Sequence, residues 1–279
     1  MTRADTLADL LADRRIAVLT GAGISTDSGI PDYRGPDSPP RNPMTFQQFV
    51  GDPEFRQRYW ARNHVGWRFV DRAIPNAGHK AVAELERLGS VAGVITQNVD
   101  LLHTKAGSRN VIDLHGTYAR VICLACGALE SRYHLADRLD AVNPGFGTRN
   151  LTGLEVAPDA DAVIERTDDF RMVSCEVCGG MLKPDIVYFG ENVPQPRVEA
   201  SYALVDAADV LLVAGSSLTV MSGFRFVRHA TKHRKPVVII NRGATRGDDH
   251  ATLKVDAGCS EVLSDLTRLK ISRRLARLH

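Results

Sequence analysis

The stretch VLTGAGISTDSGIPDYRG, residues 18–35, starts as an apolar strand running into Gly21-Ala22-Gly23. A glycine pair after a strand lets backbone amides approach a pyrophosphate. The usual dinucleotide fingerprint then needs a third glycine, which falls at position 26, where this chain has Thr26. It also needs an Asp or Glu about 20 residues on to hold a ribose. Arg41-Asn42-Pro43 stands there instead. The helix due after the turn gives way to Gly-Ile-Pro-Asp-Tyr-Arg-Gly, residues 29–35. These departures predict a dinucleotide bound in an unusual pose, not a hydride carrier in the common one.

Other apolar runs have the character of buried parallel strands: IAVLT (16–20), VAGVIT (91–96), NVIDLH (110–115), DVLLVAG (209–215) and PVVIIN (236–241). Each is short, rich in β-branched residues or leucine, and bounded by glycine or polar residues. HKAVAELERLG (79–89) and VEASYALVDAA (198–208) carry helical patterns between them. The alternation predicts an α/β fold with a Rossmann-like, doubly wound parallel sheet. Ligands of such sheets lie beyond the carboxyl ends of the strands. There the chain offers Gly21 to Thr26, Gln97-Asn98-Val99-Asp100, His115-Gly116, Gly215-Ser216-Ser217 and Asn241-Arg242-Gly243. One such loop is commonplace; five on one edge mark a site.

Two segments interrupt the alternation. Residues 37–75 begin Pro-rich and continue as FRQRYWARNHVGWRFV, which reads as helix. Residues 117–183 hold two C-x-x-C pairs, with a Gly/Pro/Asp-rich middle at 143–161. We expect 1–36, 76–116 and 184–279 to form a nucleotide-binding domain. A helical insertion (37–75) and a zinc-ribbon insertion (117–183) should form a smaller module. Cys123, Cys126, Cys175 and Cys178 form the pairs, and glycine follows the second cysteine of each. Four thiolates at this spacing suit one tetrahedral, structural Zn2+ per chain with no open position for water. Two redox C-x-x-C motifs are the competing reading.

The 279 residues are 44% hydrophobic, enough for a sizeable core. Lys and Arg total 35 against 33 Asp and Glu, a net charge of +2. That balance does not point to nucleic acid as a partner. The basic RLKISRRLARLH at 268–279 alternates with leucine and reads as a surface helix. No apolar run approaches the ~20 residues of a membrane span. MTRADTLADLLADRR at the start reads as an amphipathic helix, not a targeting segment. A cytoplasmic location without a membrane partner is expected.

GAGISTDSGIPDYRG, TQNVDLLH (96–103), LHG (114–116), the paired C-x-x-C, KPDIVYFGE (183–191), GSSLTV (215–220) and Asn241-Arg242-Gly243 together resemble the sirtuin family of NAD-dependent protein deacylases. The motifs span nearly the whole chain in the family's order. RQRYWARN (56–63) and LHTKAG (102–107) are most similar to the class II branch, that of the mitochondrial fourth human sirtuin.

The resemblance implies that NAD is a co-substrate and acyl-lysine proteins are the partners. The acyl oxygen attacks C1′ of the nicotinamide ribose and nicotinamide leaves. A histidine then acts as general base on a ribose hydroxyl, which attacks the resulting imidate, and water completes the release of lysine and O-acyl-ADP-ribose. By motif position that histidine is His115, whose imidazole titrates near neutrality. A lone histidine at a strand end would otherwise read as structural.

The same resemblance assigns Gly21, Ala22, Gly23 and Thr26 to the pyrophosphate. Asp32, Tyr33 and Arg34 go to the nicotinamide ribose, with Tyr33 where the family often has Phe. Gln97, Asn98, Val99 and Asp100 would line the nicotinamide pocket, and Gly215, Ser216 and Ser217 would meet ribose or phosphate. Asn241, Arg242 and Gly243 would hold the adenosine ribose, and Cys259 would brush the adenine. Val187, Phe189 and Gly190 would pair with the substrate main chain as an added strand.

Tyr59 and Arg62 are three apart on a predicted helix and share a face. In one sirtuin subgroup a Tyr-x-x-Arg pair grips acidic acyl chains such as succinyl. Acetyl, longer dicarboxylic and lipoyl-like groups remain alternatives. A protein mono-ADP-ribosyltransferase using the same NAD site is the alternative activity.

Overall fold

The computed structural model of the chain describes residues 3–35, 43–149, 160, 162–164 and 166–276. The Pro-rich start of the first expected insertion, Arg41-Asn42, and most of the Gly/Pro/Asp-rich middle of the second lie outside the described residues. Residues 277–279 of the basic C-terminal stretch do as well.

Nine strands are described: β1 (Ile16–Thr20), β2 (Val91–Thr96), β3 (Val111–Asp113), β4 (Gly116–Cys123), β5 (Leu129–Ser131), β6 (Leu182–Ile186), β7 (Val210–Ala214), β8 (Val237–Ile240) and β9 (Leu253–Val255). Six form one sheet in the order β3-β2-β1-β7-β8-β9, parallel throughout. The connection reverses direction between β1 and β7, which is the topological switch point where doubly wound sheets bind ligands. β5-β4-β6 form a second, antiparallel sheet.

Both faces of the parallel sheet are covered, which explains the apolar runs of its inner strands β1, β2, β7 and β8. Along β1, Ile16 and Val18 pack on one face with Leu85, Leu263 and Leu266. Ala17 and Leu19 pack on the other with Leu204, Phe226 and Val227. The first face is covered by the helices Arg3–Leu10, Ala77–Arg87 and Cys259–Ala276, the second by Gln195–Asp206 and Met221–Lys232. A third core, around Phe49, Tyr59, Trp60 and Leu182, belongs to the smaller sheet and its helices.

Local chemistry sets several boundaries. Asn76 caps its helix by accepting from the amides of Gly78 and His79, so the helix begins at Ala77, ahead of the expected 79. Asp52 caps Pro53–Arg72 in the same way, with Pro53 in the first turn. Pro196 lies in the first turn of Gln195–Asp206 and starts that helix earlier than 198. The expected strand 110–115 is shorter, ending at Asp113. The expected boundary between 183 and 184 falls inside β6.

In the smaller module the Cys123 and Cys178 sulfurs are 3.5 Å apart, and those of Cys126 and Cys175 are 3.9 Å apart. All four Sγ atoms lie within 4.8 Å of one another. Tetrahedral zinc with Zn–S near 2.3 Å requires sulfurs about 3.8 Å apart, so this donor set fits a structural zinc. Gly127 (φ 73°) and Gly179 (φ 72°) take the left-handed turns that follow each pair.

Two measurements follow from these contacts. Elemental analysis of purified protein should find one zinc per chain, and Cys178→Ser should lose it. That variant should become protease-sensitive within 117–183 while the parallel sheet stays protected; full resistance without zinc would contradict a structural metal. At the switch point Gly215 has φ 66°, and a Cβ there would overlap the Ile24 amide. Gly215→Ala should lower the unfolding free energy by about 3 kcal/mol or more in denaturant titrations.

Candidate functional site

A cavity of about 600 Å3 opens over the carboxyl ends of β1, β2, β7 and β8. Gly21, Ala22, Gly23, Thr26, Asp32, Tyr33, Arg34, Gln97, Asn98, Val99, Asp100 and His115 line it, as do Val187, Phe189, Gly215, Ser216, Ser217, Asn241, Arg242, Gly243 and Cys259. Gly190, Tyr59 and Arg62 are not among the lining residues. The Tyr59 hydroxyl lies 3.5 Å from that of Tyr118 in the small core, and Arg62 Nε donates to the Ala162 carbonyl at 2.9 Å. Tyr59 and Arg62 share a helix, but the tyrosine is buried and the arginine is tied to the neighbouring segment.

The glycine turn differs from its sequence-based expectation. The Gly21 amide donates to Ala214 O and the Gly23 amide to Gly215 O, so neither points at a ligand. A Cβ on Gly21 or on Gly23 would come within 2.9 Å of Gly215 O. These glycines therefore let the turns after β1 and β7 pack against each other. The chain continues as two short 3-10 turns, Ala22–Ile24 and Thr26–Ser28, ended by Gly29 at φ 82°. Thr26 Oγ1 donates to Gly23 O, Asp32 accepts from the Gly35 amide, and Tyr33 meets the edge of Phe189.

A buried polar network floors the cavity. Ser25 Oγ donates to Asp100 Oδ2 at 2.7 Å and accepts from Asn98 Nδ2 at 3.1 Å. Asn98 Nδ2 also reaches Gly21 O, and Asp100 Oδ1 accepts from the Leu102 amide. Burial raises the Asp100 carboxyl pKa, and those two donors partly offset it. Behind Ser25 stand His79, 3.4 Å away, and His103, whose Nε2 lies 3.0 Å from Thr20 Oγ1. Burial lowers His79 to about 4 and His103 to about 3, so both rings are neutral near pH 7. Sequence reasoning does not single out Ser25, His79 or His103; they stand only within the quoted runs GAGISTDSGIPDYRG, HKAVAELERLG and TQNVDLLH.

His115 lies in the two-residue link between β3 and β4, where the two sheets meet. Gly116 has φ 86°, and a Cβ there would overlap Asp185 O. His115 O accepts from the Val187 amide at 2.8 Å. Nδ1 lies 3.0 Å from Gln97 O, a carbonyl that can only accept, so Nδ1 carries the proton. Nε2 therefore presents its lone pair, and Ser222 Oγ donates to it at 2.8 Å. Burial lowers the ring to about 4; the Gln97 carbonyl opposes this, and the Arg197 and Arg225 charges add to it. The imidazole is a neutral, oriented base at pH 7.

Other expected contacts are partly engaged within the chain. Phe189 O accepts from the Phe46 amide at 2.9 Å, and Asn241 Nδ2 donates to Arg242 O at 2.7 Å. Ser216 Oγ donates to Gln97 Oε1 at 2.7 Å, and Ser217 Oγ lies 3.1 Å from Thr219 Oγ1. Cys259 is buried, with its thiol pushed up to about 12 chiefly by burial. It reads as a packing residue at the cavity edge rather than a nucleophile.

The buried histidines make stability depend on acid in a definite direction. Unfolded histidine takes up a proton near pH 6.5, while folded His79 and His103 stay neutral to about 4 and about 3. Their contribution is complete above pH 6.5 and is lost as pH falls below it. Denaturant midpoints should drop between pH 7.5 and 5, each ring adding a slope of up to about 1.4 kcal/mol per pH unit. His79→Gln should flatten the slope; an unchanged slope would show that His79 titrates normally.

A family model described as Sir2 family matches residues 21–222. A Mycobacterium avium (strain 104) protein named NAD-dependent protein deacetylase 1 is 70% identical over 260 residues, 92% of each chain. The Bos taurus protein named NAD-dependent protein lipoamidase sirtuin-4, mitochondrial, is 46% identical over 257 residues, 90% of this chain and 81% of the relative. A solved structure of Sir2 with a p53 peptide and NAD+ superposes with a TM-score of 0.77 at 31% identity, covering 97% of this chain and 100% of that one. Sir2Tm bound to a propionylated peptide gives 0.76 at 30%, covering 96% and 99%. With the family model spanning well over half of it, and the parallel sheet, cysteine cluster and cavity in agreement, the chain belongs to the Sir2 family.

Proposed function

We propose that the chain is an NAD-dependent protein-lysine deacylase with His115 as general base. The observation that carries this reading is the state of His115: a neutral imidazole, its tautomer set by Gln97 O, on the wall of a cavity with nucleotide-type loops. The relatives named as deacetylases and the Sir2 complexes with peptide and NAD+ support it.

A cavity of about 600 Å3 falls within the range of small-molecule sites, and its hydroxyl, amide and glycine lining fits a dinucleotide. NAD, when bound, supplies an electrophilic C1′ with nicotinamide as its leaving group. The crossed turns at Gly21, Ala22, Gly23 and Gly215, with the Thr26, Ser216 and Ser217 hydroxyls, would hold the pyrophosphate. Asp32, Tyr33 and Arg34 would cover the nicotinamide ribose, and Gln97, Asn98, Val99 and Asp100 its base. Asn241, Arg242 and Gly243 would take the adenosine ribose beside Cys259. His115 Nε2 takes a proton from a ribose hydroxyl within hydrogen-bond reach. The substrate peptide lies along Val187, Phe189 and Gly190, through backbone groups other than the Val187 amide and Phe189 carbonyl.

Residues 1–36, 76–115 and 187–279 then form the NAD-binding domain, with 37–75 and 116–186 as the smaller module; the boundaries expected at 116/117 and 183/184 are moved to keep β4 and β6 whole. No helix among the described residues is long and apolar enough to cross a membrane, and our reading places the enzyme in the cytoplasm. Membership of class II is supported by RQRYWARN and LHTKAG and by the bovine relative.

For the acyl group we favour neutral chains. Arg62 is engaged with Ala162 O rather than turned to the cavity. The relatives' names and complexes speak of acetyl, propionyl and lipoyl groups, all uncharged.

His115→Ala should keep the parent melting temperature and lower deacylation at least about 100-fold, in the range of general-base removal. An acyl-peptide panel with NAD, read by mass spectrometry, should rank acetyl, propionyl or lipoyl above succinyl. Arg62→Met should leave the succinyl-to-acetyl ratio unchanged; a succinyl preference that falls in this variant would reinstate the acidic grip. Label from NAD appearing on protein instead of in free acyl-ADP-ribose would favour ADP-ribosyl transfer.

A further inference from the structure

We propose that Ser222 is a positioning residue for His115, holding the Nε2 lone pair in place until a substrate hydroxyl takes over the contact. The proposal rests on the deacylase reading above. It explains a serine whose hydroxyl is not used where helix chemistry would use it. Ser222 is the second residue of the helix Met221–Lys232, whose cap, Val220, makes no side-chain bond. A serine inside a helix ordinarily turns its hydroxyl to solvent or to a nearby backbone group. Here the hydroxyl, only 9% exposed, donates to His115 Nε2 at 2.8 Å.

Because Gln97 O holds the Nδ1 proton, Nε2 offers a single lone pair. Only one donor can occupy it. Ser222 stands where a ribose hydroxyl must donate, and so aims the ring without giving up its own proton. In the reaction the ribose O–H breaks, its proton goes to Nε2 and its electron pair stays on oxygen. Ser222 only yields the site.

The packing makes this arrangement rigid. A Cβ on Gly223 would come within 2.6 Å of the Gln97 amide nitrogen, so glycine there lets the helix start close on Gln97. Gln97 thus anchors Nδ1 through its carbonyl, and its side chain touches the helix that carries Ser222 and also accepts from Ser216. The charges acting on the ring are Arg197, from the helix Gln195–Asp206, and Arg225, from the helix of Ser222. Both remain when Ser222 is changed. A donor on Nε2 competes with protonation there, so its loss raises the ring pKa.

The test compares the full chain with Ser222→Ala and Ser222→Thr, using acetyl-lysine peptide and NAD from pH 3.5 to 9. Nicotinamide release and O-acetyl-ADP-ribose formation are followed separately, and imidazole 15N shifts report the ring directly. In Ser222→Ala the acid limb of kcat should move up by about half to one unit, with the same shift in the His115 titration. Its kcat at the plateau should fall about three- to tenfold, the scale of one hydrogen bond, while KM for NAD stays within about twofold. Ser222→Thr, which keeps the hydroxyl, should restore both. A Ser222→Ala enzyme with the parent's acid limb, titration and kcat would overturn the role of Ser222 while leaving the deacylase reading intact. A parent protein that releases no nicotinamide from any acyl peptide would remove that reading and this role with it. A purely structural contribution of Ser222 would lower the melting temperature without moving the limb, and that outcome also overturns the proposal.

Discussion

The contact between Gly116 and the backbone of Asp185 is the constraint on which the site depends. β3 belongs to the parallel sheet and β4 to the antiparallel one, and only Leu114 and His115 join them. The chain reverses at Gly116 with φ 86°, and Asp185 O lies where any side chain would begin. That closeness brings β6 against β4 and sets the Val187 amide on His115 O. A histidine in mid-strand would face one sheet or the other. At the seam its ring borders both the nucleotide loops and the segment after β6.

Burial explains the electrostatics. Ionisable side chains that are taken out of water adopt their neutral forms unless a partner compensates. His79, His103 and His115 are all pushed well below the ordinary imidazole value, and Asp100 is pushed up. The three imidazoles are therefore neutral near pH 7, and the Asp100 carboxyl accepts from Ser25 and the Leu102 amide. A neutral imidazole with a fixed tautomer is ready to accept a proton without first losing one.

Much of this could be read from residue order. The five parallel strands next to polar loops were legible because a strand buried on both faces must be apolar along its length. The cysteine pairs were legible because four thiols in two C-x-x-C pairs, each followed by glycine, match a tetrahedral metal site. β9, β5 and β6 were not, since three-residue strands and LKPDI, with its lysine, proline and aspartate, carry no periodic signal. The packing need for glycine at 21 and 23 was not legible either, because the Gly215 carbonyl that a Cβ would strike lies far off in sequence.

The sequence by itself determined the α/β class, the edge of the sheet that carries the ligand loops, the metal-type cysteine set and the family motifs. All of these follow from local pattern and spacing. The tertiary structure alone decided which atom of His115 holds its proton, that Ser222 rather than a backbone amide meets Nε2, and that Tyr59 and Arg62 sit away from the cavity. Those outcomes depend on contacts between residues up to about a hundred positions apart. Hydrogen-bond partners are chosen by distance and direction in space, and no one-dimensional pattern records them.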